Sequence, residues 1–464
     1  MIIGVDDTDS RAGMCTTYLC AVLVDELKQR GYGDVSTPRL VRLNPCIPFK
    51  TRGNGAVSFE IRIAMGKEEQ VKELVKARVR ELSEVHEEDT NPGVVFIDDS
   101  ALRAMFRGDS DEKALTGLAG SWGRAPQNEC IVKLKTFYET TVRDVLAIED
   151  AYALISELHF DYFGLKKKRG IIGALAAASF LVVQKREPTF YDFTYELMAY
   201  REKERWGTVR LIDEASVWKA DAATYPLTWD TVDLANKKLV LAPHSPCPVL
   251  FGIRGESVDA LYKAYKLIRA EPAELEMVFV TNQGTDFHLI TGEEAVGTLH
   301  DYHSYILDGV VDSEPRTIEG GHVVFALSLS EEILGCIECI AYEPTKGFRD
   351  YIRKLWVGDE VTVYGSFKNR TINLEKIALR KLNVEVQRNP ICDKCGKSME
   401  SAGRSQGYRC KRCKTYRSEK EVLIVDREIE EGLYEAPPVA RRHIAKPLIR
   451  ACMEGGTNHL HPSR

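Results

Sequence analysis

Three carboxylates stand together near the start of the chain, in Asp6-Asp7-Thr8-Asp9, directly after the apolar run Met1-Ile2-Ile3-Gly4-Val5. Gly13-Met14-Cys15-Thr16-Thr17 follows and puts two hydroxyls where the next helix begins. Mg²⁺ takes oxygen ligands, keeps several waters and is usually held through one or two carboxylates plus substrate phosphates. A helix N-terminus beside it adds N–H groups that favour anions. The pattern points to a magnesium nucleotide and phosphoryl chemistry. The plainer reading is that the carboxylates are solvated loop residues or helix caps. Thr16 and Thr17 likewise read as N-cap residues, or one of them as a hydroxyl that accepts or relays a phosphoryl group.

A second element favours the sharper reading. Lys50-Thr51-Arg52-Gly53-Asn54-Gly55 lies between Pro48 and the strand-like run at Val57. Its glycines let backbone approach a ligand closely, and Lys50 and Arg52 supply cations. It is not a Walker A motif, because G-x4-G-K-[ST] is absent. Lys166-Lys167-Lys168-Arg169-Gly170 precedes a small-residue helix and reads as a solvated basic turn or as cations flanking phosphate or RNA. Pro246-Cys247-Pro248-Val249-Leu250-Phe251-Gly252-Ile253-Arg254-Gly255 reads as a strand entering a Gly-Arg-Gly turn before a helix. That suits a plain connection or a small-ligand pocket.

Cys392-x2-Cys395 and Cys410-x2-Cys413 are separated by 14 residues. Four thiolates in two close pairs, brought together by a hairpin, hold tetrahedral zinc, here in a structural role. Cys336-x2-Cys339 has no second pair nearby and reads as buried strand thiols. Positions 376–420 contain 13 Lys/Arg and 4 Asp/Glu, a local +9 that leaves −15 elsewhere in a total of −6. Tyr408 and Tyr416 interleave with these cations, which suits phosphate contacts and base stacking.

The 464 residues leave room for about three domains at ~150 residues each. With 44% hydrophobic and 28% charged content, the composition is that of a folded soluble protein. No signal-peptide pattern opens the chain, and the longest apolar run, 171–183, is too short to span a bilayer. Most cysteines outside the paired motif are scattered in apolar segments, so a reducing cytoplasm is expected.

The elements that must position these groups read as α+β. Strands are expected at 1–5, 39–43, 57–63, 94–97 and 131–134, and helices at 16–30, 67–85 and 147–158. Strands at 238–241 and 249–253 and a helix at 257–269 follow, without the strict alternation of a doubly wound sheet. Beyond Pro272, short strands at 277–281, 287–290, 309–311, 322–329, 335–342, 360–366 and 371–379 surround one helix at 348–355 and fit an OB-type barrel. The tail from 426, with Pro437-Pro438 and Arg441-Arg442-His443, reads as partly irregular.

Taken together, these residues resemble the archaeal tRNA(Ile) 2-agmatinylcytidine synthetase family over nearly the whole chain. The carriers are Gly4-Val5-Asp6-Asp7-Thr8-Asp9-Ser10, Gly13-Met14-Cys15-Thr16-Thr17-Tyr18-Leu19, Arg39-Leu40-Val41-Arg42-Leu43-Asn44-Pro45 and Lys50-Thr51-Arg52-Gly53-Asn54-Gly55-Ala56-Val57. Arg169-Gly170-Ile171-Ile172-Gly173-Ala174, Phe251-Gly252-Ile253-Arg254-Gly255 and Thr281-Asn282-Gln283-Gly284-Thr285-Asp286 complete them, in one order.

The resemblance implies an α+β multidomain chain. A kinase-like catalytic domain covers 1–195, open to interleaving with a ferredoxin-like domain at 196–271. An OB-fold at 272–386, a zinc ribbon at 387–422 and a tail at 423–464 follow. It implies an ATP-dependent C–N ligase that joins agmatine to C2 of the wobble cytidine of tRNA(Ile) with a CAU anticodon, through a phosphorylated cytidine, so that AUA is decoded. ATP, Mg²⁺ and Zn²⁺ are the implied cofactors, with no membrane and no obligatory protein partner.

Residue by residue, the likeness makes Thr16 the phosphorylated threonine, with Asp6, Asp7 and Asp9 binding Mg²⁺ or aligning the hydroxyl. Lys50, Arg52, Gly53 and Asn54 would hold phosphate oxygens, with Arg169 and Gly170 beside them. Phe251, Gly252, Ile253 and Arg254 would line the agmatine site. The dication calls for a carboxylate, for which Glu202, Glu204, Asp213 and Glu214 are candidates. Two rival readings remain at this level. A small-molecule kinase or ligase has no need of the +9 segment. A non-catalytic RNA-binding protein has no need of an intact acidic triad and both threonines.

Overall fold

The computed structural model describes residues 1–51, 53–106, 129–188, 191–295, 298–329, 335–455 and 459–464. Arg52 lies outside them. One ten-stranded sheet dominates. Its order is Asp161–Gly164, Gly93–Ile97, Ile2–Asp6, Gly55–Ile63, Arg39–Arg42, Ala273–Thr281, Thr194–Arg201, Val249–Gly255 and Thr228–Trp229, with Gly33–Val35 added to Gly55–Ile63. Its pairings are antiparallel except at the seam between Arg39–Arg42 and Ala273–Thr281, where Val280 faces Arg39.

Period-two alternation sorts the side chains of each strand between two cores. Ile2, Val41, Ala56 and Val95 pack under helices Ile171–Arg186, Glu129–Arg143 and Ile148–Glu157. Ile3, Leu40, Val57 and Val94 pack under Thr16–Gln29 and Glu68–Leu82. Ile171–Arg186 is buried at every position from 171 to 184. Its Ala-rich sequence, apolar all round, is what such burial requires. Gly4 admits it, because a Cβ there would fall on the Ala174 carbonyl. Across the seam, Leu197, Ala199, Phe251 and Ile253 pack against helices Glu214–Thr224 and Val258–Leu267.

Three expectations change here. Residues 131–134 belong to helix Glu129–Arg143, whose buried Ile131, Leu134, Tyr138 and Val142 recur at helical spacing; the local Ile-Val pair mimics a strand. Residues 277–281 belong to the large sheet rather than to the barrel. The boundary expected between 195 and 196 falls inside strand Thr194–Arg201, so strands from both sides of it share one sheet.

Five strands then close a barrel. Ser304–Val311 pairs with Val323–Leu329 and Glu360–Lys368, Cys336–Ala341 joins Val323–Leu329 to Thr371–Lys381, and Thr371–Lys381 returns to Glu360–Lys368. A small three-stranded sheet carries the paired cysteines, above the strand pair Glu385–Arg388 and Glu421–Ile424.

The expected irregular tail is largely ordered. Gly432–Glu435 extends the barrel sheet, and Arg450 of helix Leu448–Met453 bonds Asp192 at 2.9 Å and Glu256 at 2.6 Å. Arg464 bonds Asp221 at 2.7 Å and lies over the Tyr225 ring at 3.9 Å. These contacts strap the barrel to the far half of the large sheet.

Candidate active site

Antiparallel pairing decides which loops meet. Val5 faces Val57 and Asp6 faces Gly93, so the acidic loop, the turn before Gly55 and the segment before Gly93 emerge at one edge. The start of helix Ile171–Arg186 sits at the same edge. One cleft results, lined by Asp6, Asp7 and Asp9, by Lys50, Thr51, Gly53 and Asn54, and by Arg169 and Gly170.

Specific contacts hold it. Thr51 donates from Oγ1 to Asp9 Oδ1 at 2.9 Å. Asn54 Nδ2 donates to the Asn44 carbonyl at 2.8 Å, and Asn44 Nδ2 to the Tyr302 carbonyl at 2.9 Å, which ties the turn to the barrel. Lys50 Nζ donates to the Pro45 carbonyl. The Arg169 guanidinium lies 4.3 Å from the Phe49 ring centroid.

The carboxylates are crowded. Burial, then the neighbouring Asp7 charge, pushes Asp6 well above the usual carboxylate range. Burial pushes Asp7 up to about 7, with Asp9 adding to the rise, while the Asn91 N–H at 3.1 Å and the Arg169 charge oppose it. Asp7 itself has a left-handed φ of 58°. A Cβ on Gly173 would fall on Asp6 Oδ2, so the helix seats that carboxylate only because residue 173 has no side chain. Two crowded, half-buried carboxylates that raise each other's proton affinity suit Mg²⁺, which needs only one or two carboxylates when phosphates and waters complete its shell.

Thr16 is buried and accepts a hydrogen bond from Thr8 Oγ1 at 3.1 Å. It opens helix Thr16–Gln29 as its first residue, while Cys15 is the N-cap, which removes the capping reading of the two threonines. Thr16 is not on the cleft wall; Thr8, inside the acidic motif, is its link to it. Three other wall residues were assigned no role from the sequence. Phe49 and Thr51 flank Lys50 and carried no signal beyond the motif itself, and Asp144, just after helix Glu129–Arg143, carried none.

The structure does not bring the expected agmatine residues to this cleft. Phe251 and Ile253 lie in strand Val249–Gly255, which includes the expected strand 249–253 and runs on through the residues expected to turn; their side chains are in the apolar core. Arg254 and Gly252 face the other way, onto Glu196. Arg254 Nε bonds that carboxylate at 3.2 Å and Arg42 reaches it at 3.4 Å. Asp213 caps helix Glu214–Thr224 by accepting from the Ala215 N–H at 3.1 Å, and pairs with Arg269. Glu202 pairs with Arg205 at 3.4 Å, and Glu214 is the first residue of the helix that Asp213 caps.

Ligand sulfurs of Cys392, Cys395, Cys410 and Cys413 all lie within 4.8 Å of one another, the only such cluster of three or more potential ligands among the described residues. Cys395 and Cys410 are 3.6 Å apart, close to the ~3.8 Å edge of a tetrahedron with ~2.3 Å Zn–S bonds. Thr415 Oγ1 is 3.1 Å from Cys392 Sγ. Cys336 and Cys339 share one strand at odd spacing, so they point to opposite faces; Cys336 is exposed, against the expectation of two buried thiols. The basic segment loses one member, because Lys376 is buried over the Tyr364 ring and bonds Asp286 at 3.3 Å. Lys394, Arg409, Lys411 and Arg412 stay exposed. No helix among the described residues is long and apolar enough to cross a membrane.

Comparison with known proteins matches three family profiles. The TiaS TCKD domain covers residues 2–75, the TiaS FLD domain 168–288 and the TiaS C-terminal zinc ribbon domain 389–429. The chain is 47% identical over 466 residues to tRNA(Ile2) 2-agmatinylcytidine synthetase TiaS of Methanosarcina mazei, covering 100% of both. It is 47% identical to the protein of that name from Archaeoglobus fulgidus, covering 98% of each. Among solved structures, the TiaS-tRNA(Ile2)-ATP complex superposes with a TM-score of 0.81 at 46% identity, covering 97% of both chains. The TiaS-tRNA(Ile2)-AMPCPP-agmatine complex gives 0.80 at 43%, covering 100% of this chain and 99% of that one.

Proposed function

The chain belongs to the tRNA(Ile2) 2-agmatinylcytidine synthetase family, and from that premise we propose that it attaches agmatine to C2 of the wobble cytidine of tRNA(Ile) with a CAU anticodon, using ATP. The observation that carries the reading is the single cleft shared by the acidic loop, the Lys50 turn and Arg169-Gly170. In this reading the first part of the large sheet is kinase-like, the part across the seam ferredoxin-like, and the five-stranded barrel an OB-fold. The enzyme works in the cytoplasm, where its tRNA is.

The cytosine C2 oxygen is a poor leaving group. Phosphorylation by ATP makes it one, and agmatine's primary amine then forms the C2–N bond as phosphate departs. The residues at hand fit that task. Asp6 and Asp7 would hold Mg²⁺, which supplies charge neutralisation at the phosphates. Lys50, Gly53, Asn54 and Arg169 would hold phosphate oxygens, with Thr51 fixing Asp9 across the cleft. Thr16, beside Thr8, is the hydroxyl assigned to take up phosphate. An alkylamine with a pKa near ~10.4 must lose a proton before it attacks, so a carboxylate within reach has to accept it. The four cysteines would hold structural zinc and so present the exposed cations to tRNA phosphates.

Labelled agmatine, ATP and tRNA transcripts test this directly. Incorporation should require ATP and a cytidine at the wobble position. Incorporation that ignores the anticodon would overturn the proposal in favour of a small-molecule ligase.

A further inference from the structure

The cleft continues into a second cavity. Lys50, Gly53 and Asn54 are common to both walls, and beyond them lie Tyr302, Tyr342 and Lys368 of the barrel region and Arg442 of the C-terminal segment. Its volume of about 390 Å³ is within the ~300–1,000 Å³ of small-ligand sites. Among the described residues that line it, none is an Asp or Glu, while Lys50, Lys368 and Arg442 are cations. Burial, and further the charge of Arg442, push the Lys50 amine below its ordinary value, as expected for cations facing one cavity.

The wall is rigidly built. Arg442 donates to Ser366 Oγ at 2.7 Å, the Asn373 carbonyl at 3.0 Å and Glu375 at 3.1 Å. Tyr302 has a left-handed φ of 69°, an outlier for an aromatic residue, and is held by its N–H to the Phe367 carbonyl at 3.1 Å and by Asn44 at 2.9 Å. Lys368 sits over its ring at 5.6 Å. Tyr342 is 38% exposed, and its ring meets His322 edge-on at 5.0 Å.

Exposed aromatic surface, several cations and no carboxylate is the chemistry that takes an unstacked base with its phosphate. It repels a dication such as agmatine. We propose that this second cavity holds an anticodon-loop nucleotide adjoining the wobble cytidine, its base on Tyr342 and its phosphate at Lys368. The inference rests on the tRNA-modifying reading above and adds a subsite to it. A neighbour seated there anchors the loop while the wobble base turns across the Lys50–Asn54 wall into the cleft.

The test uses the full chain, Mg²⁺, ATP and transcripts carrying 2-aminopurine on either side of the wobble cytidine in turn. Binding to the unaltered protein and to Tyr342→Phe should quench one of the two probes. Tyr342→Ala should lose that quench and raise KM for tRNA about ten-fold, with kcat and ATP affinity unchanged. Lys368→Glu should weaken tRNA binding and flatten its salt dependence. Quench and KM that stay as in the unaltered protein in both Tyr342→Ala and Lys368→Glu would overturn the subsite. An unaltered protein that neither binds nor modifies the transcript would instead overturn the proposed function.

Discussion

Thr51 Oγ1 lies 2.9 Å from Asp9 Oδ1, a hydrogen bond between residues 42 positions apart that joins the basic turn to the acidic loop. The two loops therefore face each other across one space. A nucleotide bound there would meet carboxylates on one side and cations on the other.

Gly173 makes the closest approach to the acidic loop. Gly173→Ala should drive a methyl into Asp6 Oδ2, displace the carboxylate or the helix, and cost about 1–3 kcal/mol of stability. Nucleotide affinity should fall with it, read by calorimetric titration and thermal melting. An Ala variant with unchanged affinity would remove Asp6 from the nucleotide site.

Asp7 gives the ligand-free protein a pH dependence of defined sign. Its pKa rises from 3.8 to about 7, so between those values the folded state holds more protons than the unfolded state, and stability falls as pH rises. Asp6 acts in the same direction. Buried His288, pushed down to about 4, acts oppositely: its contribution is present above 6.5 and is lost as pH falls toward 4. Asp7→Asn should stabilise the protein by about 2 kcal/mol near pH 8, by less near pH 4, and unmask the histidine limb. Denaturant midpoints across pH 4–8 decide it; a gain independent of pH would contradict the assignment.

Thr16→Ala removes one hydroxyl from a buried pair with Thr8 and should cost only ~1 kcal/mol of stability. tRNA affinity should stay near that of the unaltered protein while agmatine incorporation is lost, and Thr16→Ser should retain it. Full turnover by the Ala variant would reject Thr16 as the phosphate acceptor.

Cys410→Ser should release zinc and loosen the small cluster of Cys392, Met399 and Cys410, because little else holds this sheet. tRNA binding should weaken while ATP binding, in a separate cleft, remains. In the intact protein, Lys411→Glu with Arg412→Glu should lower the salt slope of tRNA binding by about 1–2. Simultaneous loss of ATP binding in the cysteine variant would argue against separate modules.

Much of this architecture was legible residue by residue. Strand 57–63, helix 16–30, the cysteine pairs and the barrel strands announce themselves through period-two alternation, helical spacing or ligand spacing, all of which are local. Strand Thr194–Arg201 did not, because Glu196 and Arg201 interrupt its apolar run; each is buried against a partner distant in sequence, Arg254 and Glu271. The end of segment 246–255 misled for a related reason: its Pro and Gly density suggests a turn after Ile253, yet the strand runs on to Gly255, with Gly252 and Arg254 against the Glu196 carboxylate.

The chain's order of residues alone pointed to groups whose chemistry suits metal and phosphate, to zinc for the four thiols, and to where most helices and strands begin, since each depends on neighbours within about one turn or one hairpin. Tertiary structure alone decided that the acidic loop and the Lys50 turn oppose each other, and that the tail's arginines clamp barrel to sheet. Those outcomes rest on strand order across the sheet and on charges paired over hundreds of residues, and no local pattern encodes either.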